Sequence, residues 1–152
     1  MSKRTIFTVV LAAVLALSVV FPAAAQKKGE PPRLVLLDLQ ANGVSNEIAQ
    51  SLTDMLDLEL ERAKLYTVLS QQDLRALLKV EEQKQLLGVE GAPMETLARL
   101  AKAVNAPYLC RGSVGKVGNT LVVSLDVIDV NEVKAIRRVN QTLVGDTGSL
   151  VG

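Results

Sequence analysis

Residues 108–130 read YLCRGSVGKVGNTLVVSLDVIDV. Gly112, Gly115 and Gly118 stand three residues apart, with Lys116 between the last two. The stretch is either a loop that cradles a phosphate or a hairpin that turns. A Walker loop needs G-x-x-x-x-G-K followed by Ser or Thr, and here Val117 follows Lys116. The dinucleotide fingerprint needs Gly-x-Gly-x-x-Gly, and the spacing here is Gly-x-x-Gly-x-x-Gly. Both motifs put backbone N–H groups at a helix amino terminus. This chain continues instead as TLVVSLDVIDV, which alternates apolar and polar residues as a strand does. Gly118-Asn119 is therefore read as a hairpin turn that uses positive φ. Gly112 and Gly115 are read as a bulge or as room for a neighbour over the sheet.

Downstream, the period of two persists. LVVSLDVIDV (121–130) and VKAIRRVNQTLV (133–144) join YLCRGSV (108–114) in an expected antiparallel meander, with Asp129 to Glu132 as the second turn. Upstream, RLVLLDLQ (33–40) is short and almost continuously apolar, which predicts a strand covered on both faces. Ser45 is placed to cap a helix over 45–64, with Ile48, Leu52, Met55, Leu56, Glu59 and Ala63 on one side. LYTVL (65–69) is β-prone. Ser70-Gln71-Gln72-Asp73 has the form of a capping box, and Leu74, Leu77, Leu78 and Val80 give the apolar side of the helix it starts. A third helix opens at Pro93, turns Leu97, Leu100, Ala101 and Val104 inward, and stops at Asn105 and Pro107. The expected fold is α/β (α+β). It has a single mixed sheet with a central strand, three helices packed on it and a carboxy-terminal antiparallel three-strand meander.

The amino end carries a different message. Lys3 and Arg4, an apolar run from Ile6 to Val20, then Pro22 and Ala23-Ala24-Ala25 form the three parts of a secretory signal peptide, residues 1–25. The run is short for a spanning helix, which needs about 20 residues. No stable membrane span is expected after cleavage, and no cysteine follows the run to accept a lipid. Residues 26–32 (QKKGEPP) read as a flexible leader, 33–144 as a single α/β domain, and 145–152 as a glycine-rich tail in which Ser149 could cap a closing helix.

Composition narrows the function. Losing Lys3 and Arg4 turns the formal charge of +1 slightly negative. With 3% aromatic residues and no Trp there is neither a basic field nor a stacking surface, so nucleic acid is not an expected partner. There is no His, and Cys110 stands alone, so neither a metal site nor a disulfide is expected. Cys110 is read as a buried small hydrophobe. Ser113, Ser124 and Cys110 have no imidazole to activate them, and Ser113 and Lys116 would not face each other. Asp126 and Asp129 should point to opposite faces, and Glu81-Glu82 should be solvated. Asp38, inside RLVLLDL, must be paired or sit at the strand end, with Arg111 as the expected partner. Asn140-Gln141-Thr142 matches a glycan acceptor but lies inside a strand and is read as incidental. No catalytic residue, cofactor or metal is assigned.

The motif order resembles a family of bacterial envelope domains, that of the curli-secretion component CsgG and the amino-terminal domain of TolB-like proteins. Their first strand, LAVLDF, corresponds to RLVLLDL. Tyr66, Val68, Leu69, Ser70 and Leu74 stand in a Y-x-V-(L/V)-x-R-x-x-L segment, with Ser70 and Gln71 at the arginine-containing turn. Ala101, Val104, Ala106, Tyr108, Leu109 and Gly112 match A-x-x-L-G-A-D-Y-L-V-x-G, with Asn105 and Pro107 replacing its Gly and Asp. Asp129 to Val133 match D-V-x-T-G without the glycine. The resemblance covers about residues 33–144. It implies a periplasmic or secreted domain that binds other cell-envelope proteins, or a second copy of itself through a sheet edge. The channel's lipidated cysteine and spanning hairpins, and TolB's propeller, have no counterpart here. The alternatives are a small secreted hydrolase using Ser113 or Asp38, and a nucleic-acid-binding module.

Overall fold

A computed structural model describes residues 29–79, 82–84 and 92–144. The signal peptide, most of the leader, Val80, Glu81 and the 145–152 tail lie outside the described residues. The elements are β1 (Arg33–Leu36), β2 (Gln40–Asn42), α1 (Asn46–Ala63), β3 (Thr67–Ser70), α2 (Gln71–Leu77), α3 (Met94–Ala103), β4 (Tyr108–Val117), β5 (Thr120–Asp129) and β6 (Lys134–Val144). They form one mixed sheet in the order β3-β1-β4-β5-β6, with β2 also paired to β4. β1 runs parallel to both β3 and β4, while β4, β5 and β6 are antiparallel.

Alternation along β1 explains the layers. Leu34 and Leu36 join Leu52, Leu56 and Leu60 of α1 in one apolar cluster. Val35 joins Leu74, Leu97, Leu100 and Ala101 of α2 and α3 in a second. The central strand is thus covered on both faces, as its unbroken apolar run predicts. The chain leaves β1 to one side through α1 and reaches its other side through α2 and α3. The carboxyl end of β1 is therefore a topological switch point, where open α/β sheets form crevices.

RLVLLDLQ does not remain one strand. Leu36 pairs with Cys110 and Gln40 with Ser113, so four steps on one strand oppose three on the other. One extra residue is absorbed at Leu37-Asp38-Leu39, a bulge between β1 and β2. Its amides find partners from three directions. Leu37 N–H donates to the Cys110 carbonyl at 2.9 Å, Asp38 N–H to Gln71 Oε1 at 3.2 Å, and Leu39 N–H to Thr53 Oγ1 at 3.0 Å. Thr53 Oγ1 in turn donates to the Ala49 carbonyl at 2.9 Å.

The helices start where their caps sit. Ser45 accepts from Ile48 N–H, and Ser70 and Asp73 complete a capping box. α2 is shorter than its pattern suggests. It stops at Leu77, and Leu78 takes an extended conformation and is buried. Leu77 consequently points outward, 57% exposed, rather than along the apolar side expected of it. α3 buries Leu97, Leu100 and Ala101, and Asn105 takes φ +55° just past its end. No helix among the described residues is long and apolar enough to cross a membrane.

The meander forms as its alternation predicts. β4 and β5 pair without a break from Tyr108↔Asp129 to Val117↔Thr120. Gly118 takes φ +61° and Asn119 does not take positive φ, the pattern of a II′ turn. The second turn is held by Asp129 Oδ1, which accepts from Asn131 N–H at 2.8 Å and Glu132 N–H at 3.0 Å. Val133 takes φ +53° where the resembling motif has glycine. The glycines of β4 divide. A Cβ on Gly112 would strike the Ser124 carbonyl oxygen and come within 2.7 Å of Leu125 Cδ2 and 2.8 Å of Leu39 Cδ2. Gly112 is room for a neighbour, whereas Gly115 has ordinary space around it.

Candidate functional site

Strand alternation sorts the meander into two faces. Cys110, Gly112, Val114, Leu125, Val127 and Val139 share the face under α1, and the apolar ones are buried. Arg111, Ser113, Ser124, Asp126, Arg138 and Asn140 share the other face, half-buried or exposed. There α2 and α3 cover only the end near Leu109, Ile128 and Val130. Beyond them no helix among the described residues covers the sheet, and its face carries Arg111, Ser113, Ser124 and Asp126.

A cavity of about 350 Å3 occupies the corner between this polar floor, the β1–β2 bulge and the two helices. Arg111, Ser113, Ser124 and Asp126 form the floor, Leu37 to Gln40 one wall, and Gln71 and Leu97 the other. Arg138 Nε donates to Asp126 Oδ1 at 2.7 Å. Arg111, the cross-strand neighbour of Asp126, makes no hydrogen bond or ion pair among the described residues.

The bulge corrects the expected Asp38–Arg111 pair. Both residues line the cavity, but no hydrogen bond or ion pair joins them. The extra residue places Asp38 past the end of β1, exposed, so its carboxylate needs no buried partner. Desolvation raises its pKa above the usual carboxylate value, opposed by the Arg75 charge and assisted by Asp54.

Ser113 and Ser124 face each other across β4 and β5, while Lys116 lies on the opposite face from Ser113 by alternation. Glu132 pairs with Lys134 in the second turn. Among the described residues no three His, Cys, Asp or Glu side chains cluster as metal ligands would. Gln71 and Thr53 are the site residues the sequence reading missed. Both are buried, at 8% and 6% exposure, and both hold bulge amides. Gln71 is hidden in sequence because the capping box accounts for its neighbours.

Cys110 is fully buried, and desolvation, with a smaller contribution from Asp126, pushes its thiol up from 9.0 to about 12. Burial first, then Tyr108 and Cys110, push Tyr66 from 10.0 to about 12. Tyr66 and Tyr108 stack edge-on, with ring centroids 6.1 Å apart. Both raised groups keep their protons in the fold where an unfolded chain would release them. Their contribution is complete below about pH 9 and is lost as pH rises towards about 12. Urea midpoints are therefore expected to fall over this alkaline window, and less steeply in Cys110→Ala. At neutral pH a thiol reagent should label Cys110 only as the chain unfolds.

No family model matches the chain, and no curated protein matches it in sequence. Solved structures do match its fold. The LpoB C-terminal domain from Escherichia coli superposes with a TM-score of 0.67 at 16% identity, covering 91% of this chain and 97% of that one. Lipoprotein GNA1162 from Neisseria meningitidis gives 0.60 at 11% identity, covering 78% and 84%. The PelC dodecamer from Paraburkholderia phytofirmans gives 0.52 at 14% identity, covering 76% and 72%. At these identities the likeness is one of fold.

Proposed function

We propose that this chain is an exported, non-catalytic binding and assembly domain of the bacterial cell envelope, akin to the CsgG and TolB amino-terminal domains. It docks on other envelope proteins. The secretory pattern of residues 1–25 and the fold shared with a protein named as a lipoprotein support the location. The observation that carries the docking role is β6. It is an edge strand of eleven residues, bonded on one side to β5, with no partner strand on its other side among the described residues. Edges are commonly guarded by charge and bulges. The first half of β6 has both, in Lys134, Arg137, Arg138 and the register shift opposite Val127 and Ile128. The second half, Asn140 to Val144, carries no charge. Strand addition there supplies main-chain hydrogen bonds to a partner.

A photo-crosslinking residue at Asn140 is expected to give one discrete adduct with an envelope protein in cells. The same residue at the exposed Gln50 of α1 should not. Equal adducts from both positions, or none from Asn140, would overturn the docking role.

A further inference from the structure

We propose that the cavity beside the β1–β2 bulge is a binding site for a small zwitterionic ligand, whose carboxylate is held by Arg111 and whose ammonium faces Asp38. This reading goes beyond docking and stands on different residues. The floor holds a surplus of donors. Arg111 lines the cavity and makes no hydrogen bond or ion pair among the described residues, and a guanidinium presents five N–H donors in a fork that matches a carboxylate. Ser113 and Ser124 add hydroxyls that make no hydrogen bond among the described residues.

Gln71 adds the amide. Its Oε1 is occupied by Asp38 N–H. Its Nε2 makes no hydrogen bond among the described residues. Gln71 lines this cavity. An amide nitrogen carries two N–H donors.

Charge fixes the class of ligand. Arg138 neutralises Asp126. Arg111 and Asp38 are then one positive and one negative lining group without an ion pair between them. A phosphate dianion would meet one lining guanidinium, Arg111, and an opposing carboxylate, Asp38, that the Arg75 charge only partly offsets. A carboxylate with an ammonium a few bonds away satisfies both. The cavity, at about 350 Å3, lies at the small end of ligand sites and suits an amino acid or the end of a short peptide.

The test is a titration of the isotope-labelled full chain followed by NMR. Alanyl-alanine is expected to shift the backbone amide signals of Gly112 and Ser113 and the side-chain amide signals of Gln71 saturably. Alanyl-alanine amide, which lacks the carboxylate, and inorganic phosphate should not. Arg111→Gln should weaken binding about tenfold or more, with Arg111→Lys recovering part of it. Asp38→Asn should weaken alanyl-alanine but not its N-acetylated form, which lacks the ammonium. Free glycine binding as well as the dipeptide would identify a free amino acid as the ligand, and dipeptide alone a peptide terminus. Unsaturable shifts, phosphate binding tighter than dipeptide, or equal binding of the carboxyl amide would each overturn the proposal. The ligand arms use the unaltered chain, so they decide the matter even if Arg111→Gln fails to fold.

Discussion

Gly112→Ala is expected to cost about 3 kcal/mol or more of folding stability, read as a shift in the urea midpoint at unchanged slope. Overpacking usually costs about 1–3 kcal/mol, because neighbours move aside into strained rotamers. Here two of the three obstructing atoms belong to Leu39 and Leu125, which are buried themselves, and the third is the backbone oxygen of Ser124. The carbonyl cannot rotate away without breaking the β4–β5 ladder, in which Gly112 pairs with Leu125. Gly115→Ala on the same strand is the control. Its Cβ would meet Asn42 at 3.7 Å and 3.9 Å, ordinary contact, and its φ is not positive. That change should be neutral or stabilising by up to about 1 kcal/mol, since alanine reduces the freedom of the unfolded chain. Equal losses at the two glycines would mean that backbone freedom, not space, sets the requirement.

Thr53→Val is expected to cost about 2 kcal/mol. Valine matches threonine in shape, so the packing of α1 on the sheet survives. What is lost is the only oxygen that Leu39 N–H meets among the described residues. The site is buried, and an amide left there without water or partner bears its full desolvation penalty. Thr53→Ser keeps the oxygen and loses one methyl group, so it should cost about 1 kcal/mol, roughly the value of a buried carbon. Thermal unfolding of the two variants side by side separates hydrogen bond from methyl. A valine variant as stable as the serine one would show that the bulge amide finds another acceptor.

The hairpin was legible because two independent signals agreed at Gly118-Asn119, turn chemistry and a period of two on either side. The inner face of α3 was legible for the same reason, with helical spacing and a stop at Asn105 and Pro107. The bulge was not. Every residue from Leu34 to Leu37 is apolar, so the stretch carries no alternation from which a change of register could be read. Its amide acceptors, Thr53 and Gln71, lie on helices remote in sequence. The exposure of Leu77 was missed because helical period does not say where a helix ends. The cavity floor was invisible for a third reason. Alternation places Arg111, Ser113, Ser124 and Asp126 on one face, but whether that face is open depends on how far α2 and α3 extend across it.

The position of β1 sets an order of events during folding. Its partners are Thr67 to Ser70 on one side and Tyr108 to Cys110 on the other, so its second edge waits for residues made far later. β4, β5 and β6, by contrast, close through short turns between chain neighbours and can zip as soon as they exist. A chain emerging amino end first must hold the apolar RLVL segment unpaired on one side until the meander arrives. That interval is when this molecule is most exposed to aggregation. Slowing the meander, rather than weakening β1 itself, should most lengthen it.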